Sequence, residues 1–440
     1  MLEIGKLLIV SPRFPPTNAA DLHRIRMSLP HYRSFGWEVT VLCVDPETAD
    51  GVYDEALARA LPADTRVVRV RAWSERKCRR LGFGHLNWRC VLPLYRAGSR
   101  LLRGGRYDVI FFSTTVFTTF VLGPLWKWRF GCRIIYDFQD PWYDERLLYT
   151  RETVPGRWIK YRIGRAVAKL LERFAMRAAS HIVSVSGSYV TALSRRYRWL
   201  RPSQFTVLPF GGSEADYEFI RNNKIASPVL RRDRDGVRWV YVGRGGPDMV
   251  PVLSALFRYL AVLREIDPSF AKRLCVDFVG TNYSPAGRTS KVVEPIARKY
   301  GVTEMVREAS ERQPYFEALS LYEASDAVLL VGSIHGDYTA SKLIPAIQSK
   351  KPILAMFHKD SLVSAIAADF PNVFLANFAE TPEEPEFETR LAAGVEWLRS
   401  ATFDGSSIRR RLEPWSAAEL TRRQTEIFAS VRGEIPARRI

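Results

Sequence analysis

KLLIVSPRFPP at residues 6–16, followed after a helix-like stretch by GWEVTVLCV at 36–44, decides the fold. The first is a short continuous apolar run that ends in a proline-rich loop, residues 21–34 have helical character, and the second is another apolar run. Strand, loop, helix, strand is the repeating unit of a parallel sheet, whose ligands gather at the carboxyl ends of the strands. Further apolar runs continue the series at TRVVRV (65–70), DVIFFS (108–113), CRIIYDF (132–138), HIVSVS (181–186) and FTVLPF (205–210). The front of the chain therefore reads as alternating α/β up to about residue 215.

Residues 213–236 are polar and charged, and a second series follows them. RWVYVG (238–243), LCVDFVG (274–280) and AVLLVG (327–332) each run into glycine, and KPILA (351–355) and NVFLA (372–376) complete five candidate strands. At 440 residues the chain is longer than one hydrophobic core usually supports. The expected organisation is an α/β chain with two Rossmann-like domains: residues 1–215, a linker at 216–236, a second domain at 237–411, and a terminal segment 412–440 with helical spacing that could pack back across the domains.

Formal charge is +18 and unevenly placed: residues 1–200 hold 33 Lys/Arg against 17 Asp/Glu, and the remainder 32 against 30. A basic front half suits an anionic surface or ligand, whether headgroups, nucleic acid or a phosphorylated substrate. No nucleic-acid-binding module accompanies the charge, so nucleic acid is not expected as a partner. Five scattered cysteines without a CxxC pair argue against a disulfide framework or zinc site and for a reducing cytoplasm. The N-terminal apolar core is too short for a signal peptide. The longest uncharged run, 18 residues at 109–126, holds five Ser/Thr and a Gly-Pro, and reads as strand, loop and helix start rather than a membrane span.

Two strand-to-helix turns in the back half carry candidate chemistry. Gly243, Arg244, Gly245 and Gly246 follow the first strand of that half and precede a helix; glycines admit a close-approaching phosphate and Arg can bind two of its oxygens, although glycine turns also arise for structural reasons alone. Ser341 and Lys342 open SKLIPAIQ after a later strand. A cation at a helix start opposes the helix dipole and makes sense if an anion joins it. Asp337 precedes Lys342 and could accept from sugar hydroxyls, or close a Gly-Asp turn. In the front half, Asp140 of YDFQDPWYDE could orient or deprotonate a hydroxyl, or serve an Asp-Pro turn. The DRD at 233–235 has the form of a metal-binding Asp-x-Asp but sits among arginines, and no metal is expected.

Taken in order, KLLIVSPRFPP, GWEVTVL, YDFQDPW, ASHIVSVS, TVLPFGG, WVYVGRGG, YEASDAVLLVGS and SKLIPAIQSKKPILA resemble a glycosyltransferase of the GT-B fold, close to the family 4-like group, over nearly the whole chain. The resemblance implies two Rossmann-like domains facing across a cleft, a nucleotide-diphosphate sugar as substrate rather than cofactor, and diphosphate contacts from Arg244 and Lys342. It further implies retention of anomeric configuration, with no metal required. Of the family's Glu-x7-Glu pair, Asp337 stands at the first position and Pro345 at the second, so no carboxylate stands there for the ribose. Thr17, Asn18, Ala19 and Ala20 replace the front-loop glycines, and Phe210-Gly211 replaces Asn-Gly.

Transfer of a sugar to a carbohydrate or lipid-linked acceptor, as in polysaccharide or glycolipid assembly, is the leading expectation. A sugar-nucleotide epimerase or hydrolase, and a silent nucleotide-sugar-binding scaffold, are the alternatives. Residues 156–180 place Ile159, Ile163, Val167, Leu170, Leu171 and Phe174 near helical spacing among Lys160, Arg162, Arg165, Lys169, Arg173 and Arg177. That pattern reads either as an amphipathic helix packed by its apolar face onto its own domain with a solvated basic face, or as one that, together with the Arg/Lys cluster from Arg71 to Arg80, holds the protein against anionic lipid at the inner face of a membrane.

Overall fold

The computed structural model describes residues 4–80, 82–143, 158–229, 236–282, 290–336, 341–401 and 405–433. It divides into one unit of residues 1–210 with 417–440 and a second of residues 211–416. In the first, the apolar runs form β1 Gly5–Val10, β2 Trp37–Val44, β3 Arg66–Val70, β4 Val109–Ser113, β5 Arg133–Phe138, β6 Ala179–Ser184 and β7 Phe205–Val207. They make one parallel sheet in the order β3-β2-β1-β4-β5-β6-β7. Continuous apolar runs fit this arrangement because helices cover both faces of a parallel sheet. Gly36, at φ 81°, turns the chain from helix into β2, a left-handed conformation that costs glycine nothing. The uncharged run 109–126 resolves into β4, a 3-10 turn at Phe117–Val121 and the start of the Leu122–Phe130 helix. No helix among the described residues is long and apolar enough to cross a membrane.

The second unit holds β8 Val237–Val242, β9 Leu274–Val279, β10 Val306–Ala309, β11 Ala327–Val331, β12 Ile353–His358 and β13 Val373–Phe378, parallel in the order β10-β9-β8-β11-β12-β13. Of the six, β10 has no apolar run to announce it. As an edge strand it reads VREA, with Arg307 exposed and ion-paired to Asp277 at 2.8 Å. Its Glu308 is buried and accepts the backbone N–H groups of Val292, Val293 and Glu294 at 2.8–2.9 Å, where the Glu294–Lys299 helix begins.

The segment expected as a linker begins with structure of its own. The Glu214–Asn222 helix buries Tyr217, whose hydroxyl donates to the Pro345 carbonyl at 2.5 Å, so this stretch is anchored in the second unit. The boundary falls after Phe210, and the chain re-enters the first unit at Ala417.

That return is made by the Ala417–Arg432 helix. Phe428 is fully buried, with ring centroids 6.2, 5.5 and 5.2 Å from those of Tyr32, Trp37 and Phe111. Buried Gln424 accepts from the Tyr32 hydroxyl at 2.8 Å and donates to Ser28 at 2.9 Å. The last helix thus closes the core over one face of the first sheet. Phe428→Ala is expected to lower the stability of the first unit by about 3–5 kcal/mol, the usual cost of a deleted buried ring. Urea denaturation reads this out, and a loss below about 1 kcal/mol would place the helix outside that core.

Candidate active site

In each of the two parallel sheets the strand order reverses at one strand: β1 lies between β2, next in sequence, and β4, and β8 lies between β9, next in sequence, and β11. At such a switch point the loops leaving the carboxyl ends diverge and open a crevice, the customary ligand site of this sheet type. Arg244 and the glycines around it follow β8 at the second of these points, and Asp140 follows β5 on the same edge of the first sheet.

In the second unit, β8 passes through Gly243-Arg244-Gly245-Gly246 and a 3-10 turn, Pro247–Met249, into the Val250–Ile266 helix. The amides of Gly243 and Gly245 donate to the Val279 and Thr281 carbonyls at 3.0 and 2.7 Å, so these two glycines tie the loop to the adjoining β9 end. A Cβ on Gly245 would lie 2.6 Å from Val292, and one on Gly246 would lie 2.1 Å from Arg244 Nη1 and 2.4 Å from Asp248 Oδ1. The absence of a side chain at Gly246 therefore makes room for a bidentate ion pair, Arg244 Nη1 and Nη2 to Asp248 Oδ1 and Oδ2 at 2.7 and 2.6 Å.

Asp248 also joins the two loops that flank the switch point. Its carbonyl accepts from the Ile334 amide at 3.1 Å, and its carboxylate has a hydrogen bond from Ser333, just beyond the end of β11. Burial opposes ionisation of this carboxyl, but the Arg244 and Ser333 contacts outweigh it and hold the group below the usual carboxylate range. Further along the chain Ser341 is exposed, and Lys342, half-buried, stands at the N-cap position of the Leu343–Gln348 helix without a side-chain capping bond. Burial pushes the Lys342 ammonium down to about 7, and the nearby Arg312 charge pushes in the same direction. Pro345 is buried in the first turn of that helix, where no intrahelical N–H bond is required of it. Asp337 and the DRD at 233–235 lie outside the described residues. Asp248 and Arg312 were not singled out in the sequence. An Asp four residues after Arg244, in the first turn of a helix, is the signal that could have found the first.

In the first unit, Asp140 follows β5 and is exposed. The bulk of protein around it, and then the charge of Asp21, raise its carboxyl to about 6. Asp21 itself is buried and accepts from the Thr114 hydroxyl and the Thr115 amide, both at 2.8 Å, with Arg13 at 3.7 Å. Beneath them Arg24 and Asp137, both buried, form an ion pair at 2.9 Å, and Gln139 donates to Asp137, Ser113 and the Asp21 carbonyl at 2.9–3.2 Å. Arg24 also donates to the Leu208 carbonyl at 2.7 Å. The network binds together the carboxyl ends of β4 and β5 and the segment after β7, and sets the ledge on which Asp140 stands.

Residues 23–211 match the model of the glycosyl transferase 4-like domain. A search of the curated proteins finds no match. Among solved structures, Anabaena Alr3699/HepE in complex with UDP is similar over 97% of this chain and 100% of its own, with 17% identity and a TM-score of 0.60. The same protein in complex with UDP-glucose gives 16% identity and 0.61 over 97% and 99% of the two chains. The alpha,alpha-trehalose 6-phosphate synthase of Burkholderia multivorans is similar over 100% of both chains, with 12% identity and 0.62. Residues 23–211 thus carry a glycosyl transferase 4-like domain, and over its whole length the chain shares the fold of these solved structures, with a second parallel-sheet unit behind the first.

Proposed function

We propose that the chain moves a sugar from a uridine diphosphate sugar, held by the strand-end loops of the second unit, to an acceptor hydroxyl held by the first. The observation that carries the reading is the Arg244–Asp248 pair. It fixes a guanidinium at the carboxyl end of β8 and links its loop to the one that leads to Lys342. Two cationic groups on adjacent loops at a switch point suit a diphosphate, and the UDP and UDP-glucose complexes of Anabaena HepE support uridine as the base. Charge that develops on the departing diphosphate would be met by Arg244 and Lys342, electrostatic stabilisation of the kind that dominates many transfers, in place of a metal. In a retaining transfer a leaving phosphate oxygen takes the acceptor proton, and Asp140 orients the hydroxyl by accepting its hydrogen bond. Gly243, Gly245 and Gly246 shape the donor loop, and Ser341 lines the approach to Lys342. A carbohydrate or lipid-linked acceptor, and a place in polysaccharide or glycolipid assembly on the cytoplasmic side of a membrane, complete the proposal.

Mass spectrometry of a panel of nucleotide sugars, incubated with polyol and lipid-linked acceptors, tests the assignment. A UDP-sugar should be consumed only when an acceptor is present; consumption without acceptor would point to a hydrolase or epimerase, and binding without turnover to a scaffold.

Three outcomes follow from the geometry. Gly246→Ala forces the Arg244 guanidinium away from Asp248. Because a flexible side-chain end is what moves, the melting temperature should change little, while UDP binding weakens by about 1.5–3 kcal/mol, the range for a charge-assisted contact. Unchanged affinity would remove Arg244 from the site.

Lys342 is lowered from 10.5 to about 7 in the free protein, so near pH 8 its amine is mostly neutral and must regain a proton to face a diphosphate. UDP affinity should therefore fall as pH rises above about 7, by up to roughly tenfold per unit until the ordinary lysine range is reached. Calorimetry in buffers of different ionisation heat should show uptake approaching one proton near pH 8, abolished in Lys342→Met. A flat profile without uptake would contradict the clamp.

For Asp140, raised to about 6, the acceptor-orienting form is lost as pH falls through that value. Turnover should decline on the acid side of 6, and Asp140→Asn should depress kcat while leaving UDP affinity near normal. A variant with unchanged kcat and the same acid limb would return Asp140 to its turn.

A further inference from the structure

The Trp158–Met176 helix turns its apolar residues away from the protein. Ile159, Ile163, Leu170 and Phe174 are 68, 59, 67 and 40% exposed, and Ala166 is exposed among them. Successive spacings of four, three, four and four residues put all five on one helical face. The opposite side buries Glu172, Ala175 and Met176. The expectation of a helix packed by its apolar face onto its own domain is thereby reversed. What anchors the helix is a carboxylate: Glu172 accepts from Arg196, from the Tyr197 hydroxyl at 2.8 Å and from the Tyr143 amide at 3.1 Å.

The outward face is also charged with one sign only. Lys160, Arg162, Lys169, Arg173 and Arg177 are exposed, and the single acidic residue of residues 158–177 is the buried Glu172. The Leu122–Phe130 helix, packed against this one, adds Trp128, 87% exposed, between exposed Lys127 and Arg129. An apolar stripe flanked by cations, with an aromatic ring set between two more, has the chemistry of a helix lying in the headgroup region of a bilayer. A second copy of this chain is a poor occupant, because a two-fold contact would set the same cations against each other.

We propose that this face of the first unit docks on an anionic lipid surface, with Ile159, Ile163, Leu170 and Phe174 entering the headgroup–acyl boundary and the cations lying among the headgroups. Apolar and electrostatic contributions act together, so neither alone should retain the protein. The inference stands on the helix and not on the donor site. It rests on the proposed transfer only in suggesting that the acceptor hydroxyl is carried by a lipid.

Co-sedimentation of the full chain with phosphatidylcholine vesicles, with and without 30% phosphatidylglycerol, is the test. Binding should appear with the anionic lipid and weaken as salt is raised. Ile159→Ser with Leu170→Ser should reduce partition about tenfold, and Lys160, Arg162, Lys169 and Arg173 changed together to Gln should reduce it at least as much. Both variants should keep the wild-type melting temperature and UDP affinity, which separates failure here from failure of the donor reading. Absence of binding to anionic vesicles at low salt, equal binding to neutral ones, or partition that neither variant alters would overturn the proposal. So would a wild-type dimer that the serine variant dissolves without any vesicle binding.

Discussion

The geometry at the switch point of the second sheet depends on one side chain, Asp248. Its carboxylate holds both terminal nitrogens of Arg244, and through Ser333 and the Ile334 amide the same residue ties the loop after β8 to the loop after β11. Those loops leave two strands adjacent in space but far apart in sequence, and the crevice of a switch point is useful only if its two lips are held in register. An arginine alone would carry charge to this edge without a fixed direction. Paired in the space left by Gly246, it becomes a group of defined orientation, as the proposed diphosphate site requires.

The first unit is built on the same plan with the opposite chemistry. Its strand ends are occupied by the buried Arg24–Asp137 pair and by Asp21, with Gln139 and threonine hydroxyls filling the remaining hydrogen bonds. A buried ion pair adds little net stability but is costly to break from one side, so it fixes positions more than it contributes energy. What it positions is Asp140, an exposed carboxyl whose proton affinity is lifted by its surroundings and by Asp21. The helix that completes this unit comes from the end of the chain, which makes one folding unit of segments more than 200 residues apart.

Much of this was legible in the sequence. Among the described residues, twelve of the thirteen strands of the two parallel sheets declare themselves as apolar runs, because strands of a parallel sheet are buried on both faces and have no polar alternation to obscure them. The exception, Val306–Ala309, lies at an edge where Arg307 and Glu308 replace apolar residues for local reasons: one pairs with Asp277, and the other caps a helix. Arg244 and Lys342 stood out because a cation at a helix start opposes the helix dipole, whereas the glycines beside Arg244 alone are ordinary in a strand-to-helix turn. Asp248 did not, since an acidic residue in a first helical turn is ordinary until the structure shows what it holds. The Trp158–Met176 helix marks a different limit. Periodicity shows that a helix has an apolar face, but which face meets the protein is decided by the anchoring contacts, here those of Glu172 with Arg196, Tyr197 and Tyr143.

The central claim is that a nucleotide diphosphate binds at the two loops Asp248 ties together. Hydrogen–deuterium exchange with and without UDP addresses it most directly, because bound ligand slows amide opening where it sits. Protection confined to residues 243–250 and to the segments after β11, through 332–336 and 341–348, is the predicted result. Exchange unchanged in both loops at saturating UDP, or protection centred on the first unit, would contradict the account.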